Sequence, residues 1–298
     1  MGMQLAIRVD VDTRIGLREG VPRLLNLFRR HSVRASFFVS FGPDNSGKAL
    51  RRLWQPGFLL KMWHTNPLRL YGFRTLLSGT LLPSLPVGGA APELLRAITA
   101  EGHELGIHGY DHVRWQDHVE GMEEKEIEAE LFQAKKAYER ALGVCPVSSA
   151  APGWRCTPST LAVQERLGLL YASDVRGTCP FLPVDNGRFF NTLQIPTTLP
   201  TLDELLGREH RINDHLLLSL RDGLNVHTVH AEVEGRPHLP LLEEFFREIL
   251  GRGIHVVRLR EFAEMTLNKG VQNVPRMSIR RQKIPGRSGW VACQGLAV

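Results

Sequence analysis

The chain has 298 residues, of which 43% are hydrophobic and 23% are charged, and these proportions exclude a disordered tail or a fibre. Its 37 Lys and Arg against 31 Asp and Glu give a formal net charge of +6, which would suit nucleic acid, anionic lipid or an acidic substrate as a partner. The length fits either two domains or one enlarged α/β barrel.

The sequence has no sign of membrane insertion or disulfide bonding. No run approaches the ~20 consecutive apolar residues of a membrane-spanning helix, and the first residues form an alternating pattern without a signal-peptide apolar region. We therefore expect a cytoplasmic chain that does not cross a membrane. The four cysteines lack the spacing of a disulfide framework or a cysteine zinc site; they are Cys145, Cys156, Cys179 and Cys293.

Short β-rich runs alternate with helical runs along the chain. The predicted strands cover residues 5–9, 35–41, 104–107, 147–150, 169–174, 192–195, 225–230 and 255–257. The predicted helices cover residues 19–31, 92–101, 123–142, 159–168, 201–206, 214–221, 239–250 and 259–268. This alternation predicts a parallel sheet covered by helices, and about seven such units suit a barrel with its chemistry at the carboxyl ends of the strands.

The first predicted strand ends in two carboxylates, Asp10 and Asp12. Because side chains alternate along a strand, both project to the same side. Like charges held together raise one pKa unless a cation lies beside them, and a metal ion would serve. Taken alone, the D-x-D pattern is more typical of a solvated strand end or a helix cap.

Two histidines, His108 and His112, follow the third predicted strand and a Gly. The spacing lets both bind one ion if the intervening turn is helical. Alone, the pair is more often two unrelated surface histidines. With a carboxylate from the first strand it would form a set suited to zinc or another divalent first-row metal, with positions open for water and substrate.

Three further strand-end residues are candidates for the same pocket. His230 ends an apolar strand, where an imidazole can donate a proton at neutral pH, whereas His227 has the opposite parity and should face the helices. Arg155 could keep a catalytic carboxylate ionised, and Asp174 could orient a histidine. A hydrogen-bonded core histidine and ordinary surface salt bridges are the alternatives for these residues.

In chain order these motifs resemble the polysaccharide deacetylase (NodB-homology) family, whose members are distorted (β/α)7 barrels that remove acyl groups from sugar amides with a divalent metal. By that resemblance, Asp12, His108 and His112 would bind the metal, zinc before manganese or cobalt. Asp10 would be the general base, with Arg155 as its partner, and His230 the general acid, with Asp174 in support. Trp154 and Tyr110 are expected to line the substrate pocket.

Longer strings point to one branch of that family. VDVDT at 9–13, SDVRG at 173–177, QIPTTLPTLDELLGR at 194–208, HAEVEG at 230–235 and GRSGW at 286–290 are similar to bacterial deformylases of lipid A modification and polymyxin resistance. The resemblance implies hydrolysis of the formamide on undecaprenyl phosphate-linked 4-deoxy-4-formamido-L-arabinose. It also implies peripheral contact with the cytoplasmic leaflet of the inner membrane.

The positive charge is concentrated in two acid-free segments, residues 45–92 and 269–298, each with six basic residues. We expect residues 1–268 to form one barrel domain, with 45–92 as an insertion and 269–298 as a basic extension. Basic and bulky apolar residues together are typical of a segment in a lipid headgroup layer, although a helical hairpin that caps the fold is an equal alternative. The candidate membrane contacts are Arg51, Arg52, Trp54, Lys61 and Trp63.

Three other functions remain open at this point. Within enzymes, the alternatives are a deacetylase of another amino sugar or of peptidoglycan, and a ring-opening amidohydrolase on the same barrel. Outside enzymes, the alternative is a basic module that binds membrane or nucleic acid without catalysis. No nucleic-acid partner is expected, because the sequence lacks stacking aromatics or a known domain pattern beside a basic face.

Overall fold

The computed structural model describes residues 2–48, 78, 80, 83–287 and 289–297. The strands are β1 (Gln4–Val11), β2 (Ser36–Val39), β3 (Glu104–Ile107), β4 (Ser148–Ser149), β5 (Tyr171–Ala172), β6 (Leu182–Asp185), β7 (Arg188–Phe189), β8 (Leu193–Gln194), β9 (Leu224–His230), β10 (His255–Val257), β11 (Arg276–Gln282) and β12 (Val291–Ala297). The α-helices are α1 (Val21–Arg30), α2 (Pro92–Ala100), α3 (His112–His118), α4 (Glu124–Leu142), α5 (Pro158–Arg166), α6 (Leu202–Leu205), α7 (Ile212–Leu218), α8 (Leu239–Gly251) and α9 (Leu259–Asn268).

A curled parallel sheet forms the centre of the molecule. Its strands run β8-β5-β4-β3-β2-β1-β9, and β1 pairs with β10 through residues 4–6 before it pairs with β2 through residues 8–11. The amides of Thr198 and Leu199, after β8, donate to the carbonyl oxygen of Val226 on β9, so the two edges of the sheet meet. The predicted α/β class with a parallel, barrel-like sheet is confirmed.

Alternation along β1 divides its side chains between two layers. Leu5, Ile7 and Val9 are fully buried in the core between sheet and helices, which also contains Phe28 of α1. Burial of such a side chain contributes about 1.5–3 kcal/mol. Arg8, of the other parity, is buried inside the barrel, as are Asp10 and most of Asp12. The outer face of β1 therefore stabilises the fold, and its inner face carries the polar groups.

The carboxyl ends of the parallel strands open on one end of the barrel, which we call the mouth. A second sheet, in the order β12-β11-β6-β7, extends the structure beside it. Strand β11 pairs parallel with β6, and Val291 and Cys293 of β12 pack against the buried ring of Trp154. The C-terminal extension, expected only as a basic segment, thus adds two strands next to the mouth.

Local signals account for several element ends. Helix α4 ends at Leu142 and is followed by Gly143, which has φ +74°, the left-handed conformation that favours glycine after a helix. The helix predicted at 19–31 is divided into a π-helical turn, Gly16–Gly20, and α1, which has Pro22 in its first turn. Strands predicted at 35–41 and 169–174 are shorter in the structure, as β2 and β5.

Much of the basic insertion lies outside the described residues, including the candidate membrane contacts Arg51, Arg52, Trp54, Lys61 and Trp63. Among the residues that are described, none of the helices combines the length and apolar composition needed to cross a bilayer.

Candidate metal centre and catalytic site

The proposed base, Asp10, is held by an arginine of its own strand. Arg8 Nε donates to Asp10 Oδ1 at 2.7 Å and Arg8 Nη2 donates to Asp10 Oδ2 at 2.6 Å, a bidentate pair. Both side chains are buried, and Arg8 Nη1 also donates to the carbonyl oxygen and hydroxyl of Ser173. Arg8 and Asp10, two residues apart on β1, thus supply a counter-ion and the carboxylate that it holds in place.

The two predicted metal-ligand histidines are positioned by a turn and a helix start rather than by a helical turn between them. Gly109, directly after His108, has φ +68°, and Asp111 caps α3 by accepting a hydrogen bond from the Arg114 amide at 3.0 Å. His112 is therefore the first residue of α3 and returns towards His108, with ring centroids 5.3 Å apart.

Asp12, His108 and His112 form a compact group of possible metal ligands. One ligand atom from each lies within 4.8 Å of the others. Asp12 Oδ1 is 3.3 Å from His108 Nε2, and Asp12 Oδ2 is 3.3 Å from His112 Nε2. The group contains two imidazoles and one carboxylate, as in the sets that bind zinc and other first-row metals.

Hydrogen bonding of His108 supports a cation at this position. Its Nδ1 lies 2.8 Å from the carbonyl oxygen of Ala150, which can only accept, so Nδ1 carries the hydrogen. In the neutral ring, Nε2 then directs a lone pair towards Asp12 Oδ1, a buried oxygen that has no hydrogen-bond partner within the described part of the chain. Two acceptors at 3.3 Å fit a cation between them, and the Ala150 contact orients the ring as in many metal sites.

The charges of this centre shift its pKa values in a consistent direction. Burial alone would raise the pKa of Asp12, but the imidazoles of His112 and His108 lower it well below its usual value. Burial likewise opposes ionisation of Asp10, yet Arg8 and His108 bring its pKa below the usual value. Burial would lower the pKa of His108, but Asp10 and Asp12 raise it. The negative charges of Asp10 and Asp12 that attract a proton to His108 also attract a divalent cation. The proton and the cation therefore compete for His108.

His230 lies next to Asp10 across a strand pair. The two residues are register partners in the parallel pairing of β1 and β9, and the charge of His230 acts on both Asp10 and Asp12. Its backbone amide donates to Glu234 Oε2 at 2.8 Å. His227, of opposite parity, packs its ring in a tilted orientation against Phe245 of α8, with ring centroids 5.4 Å apart, so its predicted direction towards the helices is confirmed.

Asp174 has partners that the sequence analysis did not expect. It was expected to support His230, but its Oδ2 accepts hydrogen bonds from Gln164 Nε2 at 2.6 Å and Gln194 Nε2 at 3.2 Å. Burial raises the pKa of Asp174, and these hydrogen bonds oppose the rise. Glu234 is the carboxylate that contacts the backbone of His230, and the supporting role of Asp174 stays a prediction.

Arg155 is also placed differently from the expectation. Its guanidinium lies over the ring of Trp290, 4.3 Å from the ring centroid, while Arg8 makes the bidentate contact with Asp10. Arg8 therefore makes the contact with Asp10 that was expected of Arg155, and the role of Arg155 in the site stays a prediction. The signal for Arg8 was present in the sequence, because Arg8 and Asp10 have the same parity on one strand.

The two expected pocket residues are mostly enclosed. The ring of Trp154 is buried and its Nε1 donates to Thr197 Oγ1 at 3.0 Å, so it supports the wall of the mouth. Tyr110 is half-buried against the main core, and its carbonyl oxygen accepts from the Gly42 amide at 2.8 Å. A Cβ at Gly42 would lie 2.5 Å from that oxygen, which explains the glycine.

Two buried carboxylates after His230 were missed. Glu232 and Glu234 are 1% and 2% exposed, and each has one oxygen without a hydrogen-bond partner within the described ranges. Burial, with the Asp12 charge second, raises the pKa of Glu232 well above its usual value, and burial raises the pKa of Glu234 to about 7. The sequence HAEVEG gave no indication that the side chains of Glu232 and Glu234 are both buried.

Comparisons with known proteins agree with this geometry. Residues 6–172 match the family model described as polysaccharide deacetylase. A Shewanella sediminis protein named "Probable 4-deoxy-4-formamido-L-arabinose-phosphoundecaprenol deformylase ArnD" is 37% identical over 98% of this chain and 94% of its own length. A protein of the same name from Wigglesworthia glossinidia brevipalpis is 32% identical over 94% of this chain and 98% of its own.

Solved structures agree in fold. A Mycobacterium smegmatis protein assigned to the polysaccharide deacetylases has a TM-score of 0.63 at 20% identity, covering 95% of this chain and 96% of its own. Puue allantoinase also has a TM-score of 0.63, at 17% identity, covering 90% of this chain and 92% of its own. The chain belongs to the polysaccharide deacetylase family, in which its curated relatives are ArnD deformylases.

Proposed function

We propose that this protein is a metal-dependent deformylase that hydrolyses the formamide of undecaprenyl phosphate-linked 4-deoxy-4-formamido-L-arabinose. The products are formate and the lipid-linked 4-amino sugar, an intermediate of lipid A modification. The observation that carries the proposal is the group Asp12, His108 and His112 beside the Arg8-held Asp10 and opposite His230, in a chain related to the named deformylases along nearly its whole length.

The donor set and its electrostatics fit a divalent cation, zinc before manganese or cobalt, bound by Asp12, His108 and His112. Such an ion would polarise the formamide carbonyl and lower the pKa of a bound water. The Ala150 carbonyl fixes the tautomer of His108, and the Asp111 cap fixes the start of α3 that carries His112.

Asp10 is suited to accept the proton of the attacking water. Its pKa is below the usual value, so it is a carboxylate at neutral pH, and Arg8 holds both of its oxygens. The bidentate contact also prevents rotation of the carboxylate, which keeps the accepting lone pair directed at one position. Arg8 therefore acts as a positioning residue for the base.

His230 is suited to donate a proton to the departing nitrogen. It is only partly buried, and it is the register partner of Asp10, so acid and base face each other across neighbouring strands. Glu234 holds the backbone of His230 through the 2.8 Å hydrogen bond at the end of β9. Amine release needs such a donor, because an unprotonated amide nitrogen is a poor leaving group.

The experiment is a comparison of acyl groups on one carrier. Purified protein reconstituted with zinc, manganese or cobalt is given a short-chain prenyl phosphate carrying either the 4-formamido or the 4-acetamido sugar. We expect formate release to exceed acetate release by about 10–200-fold, because the acetyl group adds one methyl to a fitted pocket. Faster turnover of the acetamido sugar, or of peptidoglycan fragments, would support the alternative deacetylase function and contradict this one.

We also propose peripheral contact with the cytoplasmic leaflet of the inner membrane, because the substrate lipid stays in the bilayer. The composition of the insertion supports this, with each basic residue adding about 1 kcal/mol at an anionic surface. The extension is the weaker candidate, since Arg281 contacts Glu120 and Arg287 contacts Glu204 within the fold. Such peripheral contact does not require either segment to cross the bilayer.

Vesicle binding at low salt tests the membrane proposal. A variant with Arg51, Arg52 and Lys61 replaced by Gln should bind anionic vesicles more weakly than the parent. The matched control replaces three exposed arginines elsewhere, Arg211, Arg247 and Arg252, and loses the same charge. Equal binding by the first variant and the parent would remove the electrostatic role of the insertion.

A further inference from the structure

The C-terminal extension brings one arginine into the mouth. In the turn that follows β11, the Arg287 amide donates to the carbonyl oxygen of Ile284 at 3.1 Å, and Gly286 has φ +85°. A Cβ at Gly286 would lie 2.7 Å from the carbonyl oxygen of Glu204, so only glycine lets this turn pack so closely against the barrel. Turn geometry therefore directs Arg287 inward.

Arg287 and the arginine that holds the proposed base both contact the ring of Trp154. The guanidinium carbon of Arg287 is 4.3 Å from the Trp154 ring centroid, and that of Arg8 is 5.1 Å from the same centroid. Burial would lower the pKa of Arg287, but Asp203, Glu204 and also Asp10 raise it, so its charge is within reach of the catalytic carboxylate. The side chain is 12% exposed and lies at the edge of the mouth.

The acidic partners of Arg287 leave part of its guanidinium available. Glu204 Oε1 accepts from Arg287 Nη1 at 3.2 Å but also from Arg176 Nη1 at 2.5 Å, so one carboxylate serves two cations. Asp203 is farther, at 3.8 Å, and is also approached by Nη1. Within the described residues, Arg287 Nε and Nη2 have no hydrogen-bond partner, and neither does the buried Nε of Arg176.

We propose that Arg287 binds the phosphodiester of the substrate and thereby selects a lipid phosphate-linked sugar over a neutral glycoside. This proposal rests on the proposed function. In the substrate, the formamide at carbon 4 and the phosphate at the anomeric carbon lie at opposite ends of one sugar ring. Arg287 reaches the same Trp154 ring as Arg8 but is not the residue that holds Asp10, so its guanidinium can contact the phosphate while the formamide lies at the base. Its free edge offers the paired donors that phosphate oxygens accept.

The test compares two substrates in the full-length metal-loaded enzyme: the short prenyl phosphate-linked formamido sugar and its methyl glycoside, which has no phosphate. We expect Arg287→Gln to lower kcat/KM for the phosphodiester by about 10–100-fold, mainly through KM, because a hydrogen-bonded charge contact is lost. The preference for the phosphodiester over the glycoside should fall by the same factor. The kcat/KM of Arg287→Lys for the phosphodiester should lie between those of wild type and Arg287→Gln, since lysine keeps the charge without the paired donors.

The matched control is Arg281→Gln, which removes an exposed arginine of the same extension that stacks on Trp290. It should leave the substrate preference unchanged. Equal losses on both substrates in Arg287→Gln would mean that Arg287 only maintains the turn, and no loss on the phosphodiester would equally overturn the proposal. Wild-type enzyme that released no formate from either substrate would instead contradict the proposed function.

Inhibition separates the two possible sources of phosphate. With the methyl glycoside as substrate, farnesyl phosphate should compete more strongly than inorganic phosphate, and Arg287→Gln should weaken the competition. Stronger inhibition by inorganic phosphate would assign the site to a free anion and overturn the assignment to the substrate.

Discussion

At the amino end of the barrel, the Glu104 carboxylate accepts four hydrogen bonds. Its Oε1 accepts from Ser148 Oγ at 2.8 Å and Tyr171 Oη at 2.7 Å. Its Oε2 accepts from Ser36 Oγ at 2.6 Å and from the backbone amide of Arg260 at 3.0 Å. Ser36, Glu104, Ser148 and Tyr171 are the first residues of β2, β3, β4 and β5, and we call this group the floor cluster.

The mouth, at the other end of the same strands, holds buried carboxylates whose hydrogen bonding is not complete. Within the described part of the chain, one oxygen in each of four carboxylates lacks a hydrogen-bond partner; these are Asp12 Oδ1, Asp174 Oδ1, Glu232 Oε2 and Glu234 Oε1. An unpaired buried oxygen costs about 1–3 kcal/mol. The protein itself supplies every partner of the Glu104 carboxylate, whereas the mouth keeps carboxylate oxygens that can accept from substrate or water or bind a cation. We therefore expect changes at the floor to affect stability and changes at the mouth to affect chemistry.

The largest expected effect is at the metal ligands. Asp12→Asn removes the charge that would bind the cation, so we expect kcat/KM to fall by about a thousandfold or more, the several kcal/mol that a metal ion supplies. Metal content should fall with it, as measured by elemental analysis, while the melting temperature of metal-free protein changes little. Asp222→Asn, an exposed acid in the turn before β9, is the control and should keep both. Full metal content in Asp12→Asn would contradict the assignment.

The next effect compares two histidines of β9. His230→Ala should keep its metal but lose about 10²–10⁴-fold in kcat, since general acid catalysis contributes that range. His227→Ala is the matched variant, because its ring packs on Phe245 outside the barrel, and it should lose stability rather than kcat. Turnover by His230→Ala at the wild-type rate would remove the general-acid role.

A smaller effect, on stability, is expected at the floor cluster. Glu104→Gln places an amide where four donors converge, and the Arg260 amide cannot become an acceptor, so we expect the free energy of unfolding to fall by about 2–3 kcal/mol. Urea unfolding measures the change, and Glu93→Gln on the exposed face of α2 is the control. If Glu104→Gln also lowered kcat under conditions where the variant stays fully folded, the two ends of the barrel would be coupled.

The sequence predicted the parts of this structure that depend on local patterns. Strand β3, strand β10 and helix α9 lie where their predicted ranges placed them, because apolar runs and end signals are close together in sequence. The convergence of Asp12, His108 and His112 at one barrel end could be anticipated because parallel strands bring their carboxyl ends together. Their roles in binding and catalysis remain predictions.

What the sequence did not predict depends on long-range pairing. Strand β11 pairs with β6, about 90 residues earlier, and no local pattern of a basic segment indicates such a partner. The β6–β7 hairpin did carry a signal, since Asn186 and Gly187 have φ values of +46° and +79° and Asn-Gly is typical of such turns. Arg287 enters the mouth only because the extension folds back, so its proximity to Trp154 required the structure.

The last expected effect develops only gradually with pH and has opposite sign at the two ends. At the mouth, burial raises the pKa of Glu234 from 4.5 to about 7, so between these values the folded protein holds a proton that the unfolded chain releases. The contribution of this bound proton to the free energy of unfolding is complete below pH 4.5 and is lost as pH rises through 7, by up to about 3 kcal/mol. Glu234→Gln cannot titrate, so its stability relative to wild type should increase over this range in urea unfolding.

At the amino end, His103 gives the reverse dependence. Its Nδ1 accepts from the Ala35 amide at 3.0 Å, which requires an unprotonated nitrogen, and burial lowers its pKa from 6.5 to about 4. The stability from the neutral ring is present above pH 6.5 and is lost as pH falls through 4, because the unfolded chain then binds a proton that the folded protein excludes. His103→Asn keeps an acceptor without titrating, so its stability relative to wild type should increase as pH falls from 6.5 to 4, whereas that of Glu234→Gln should increase as pH rises from 4.5 to 7. If the relative stability of both variants changed with pH in the same direction, the opposite titration of the two ends of the barrel would be contradicted, and with it the contrast between the floor cluster and the mouth.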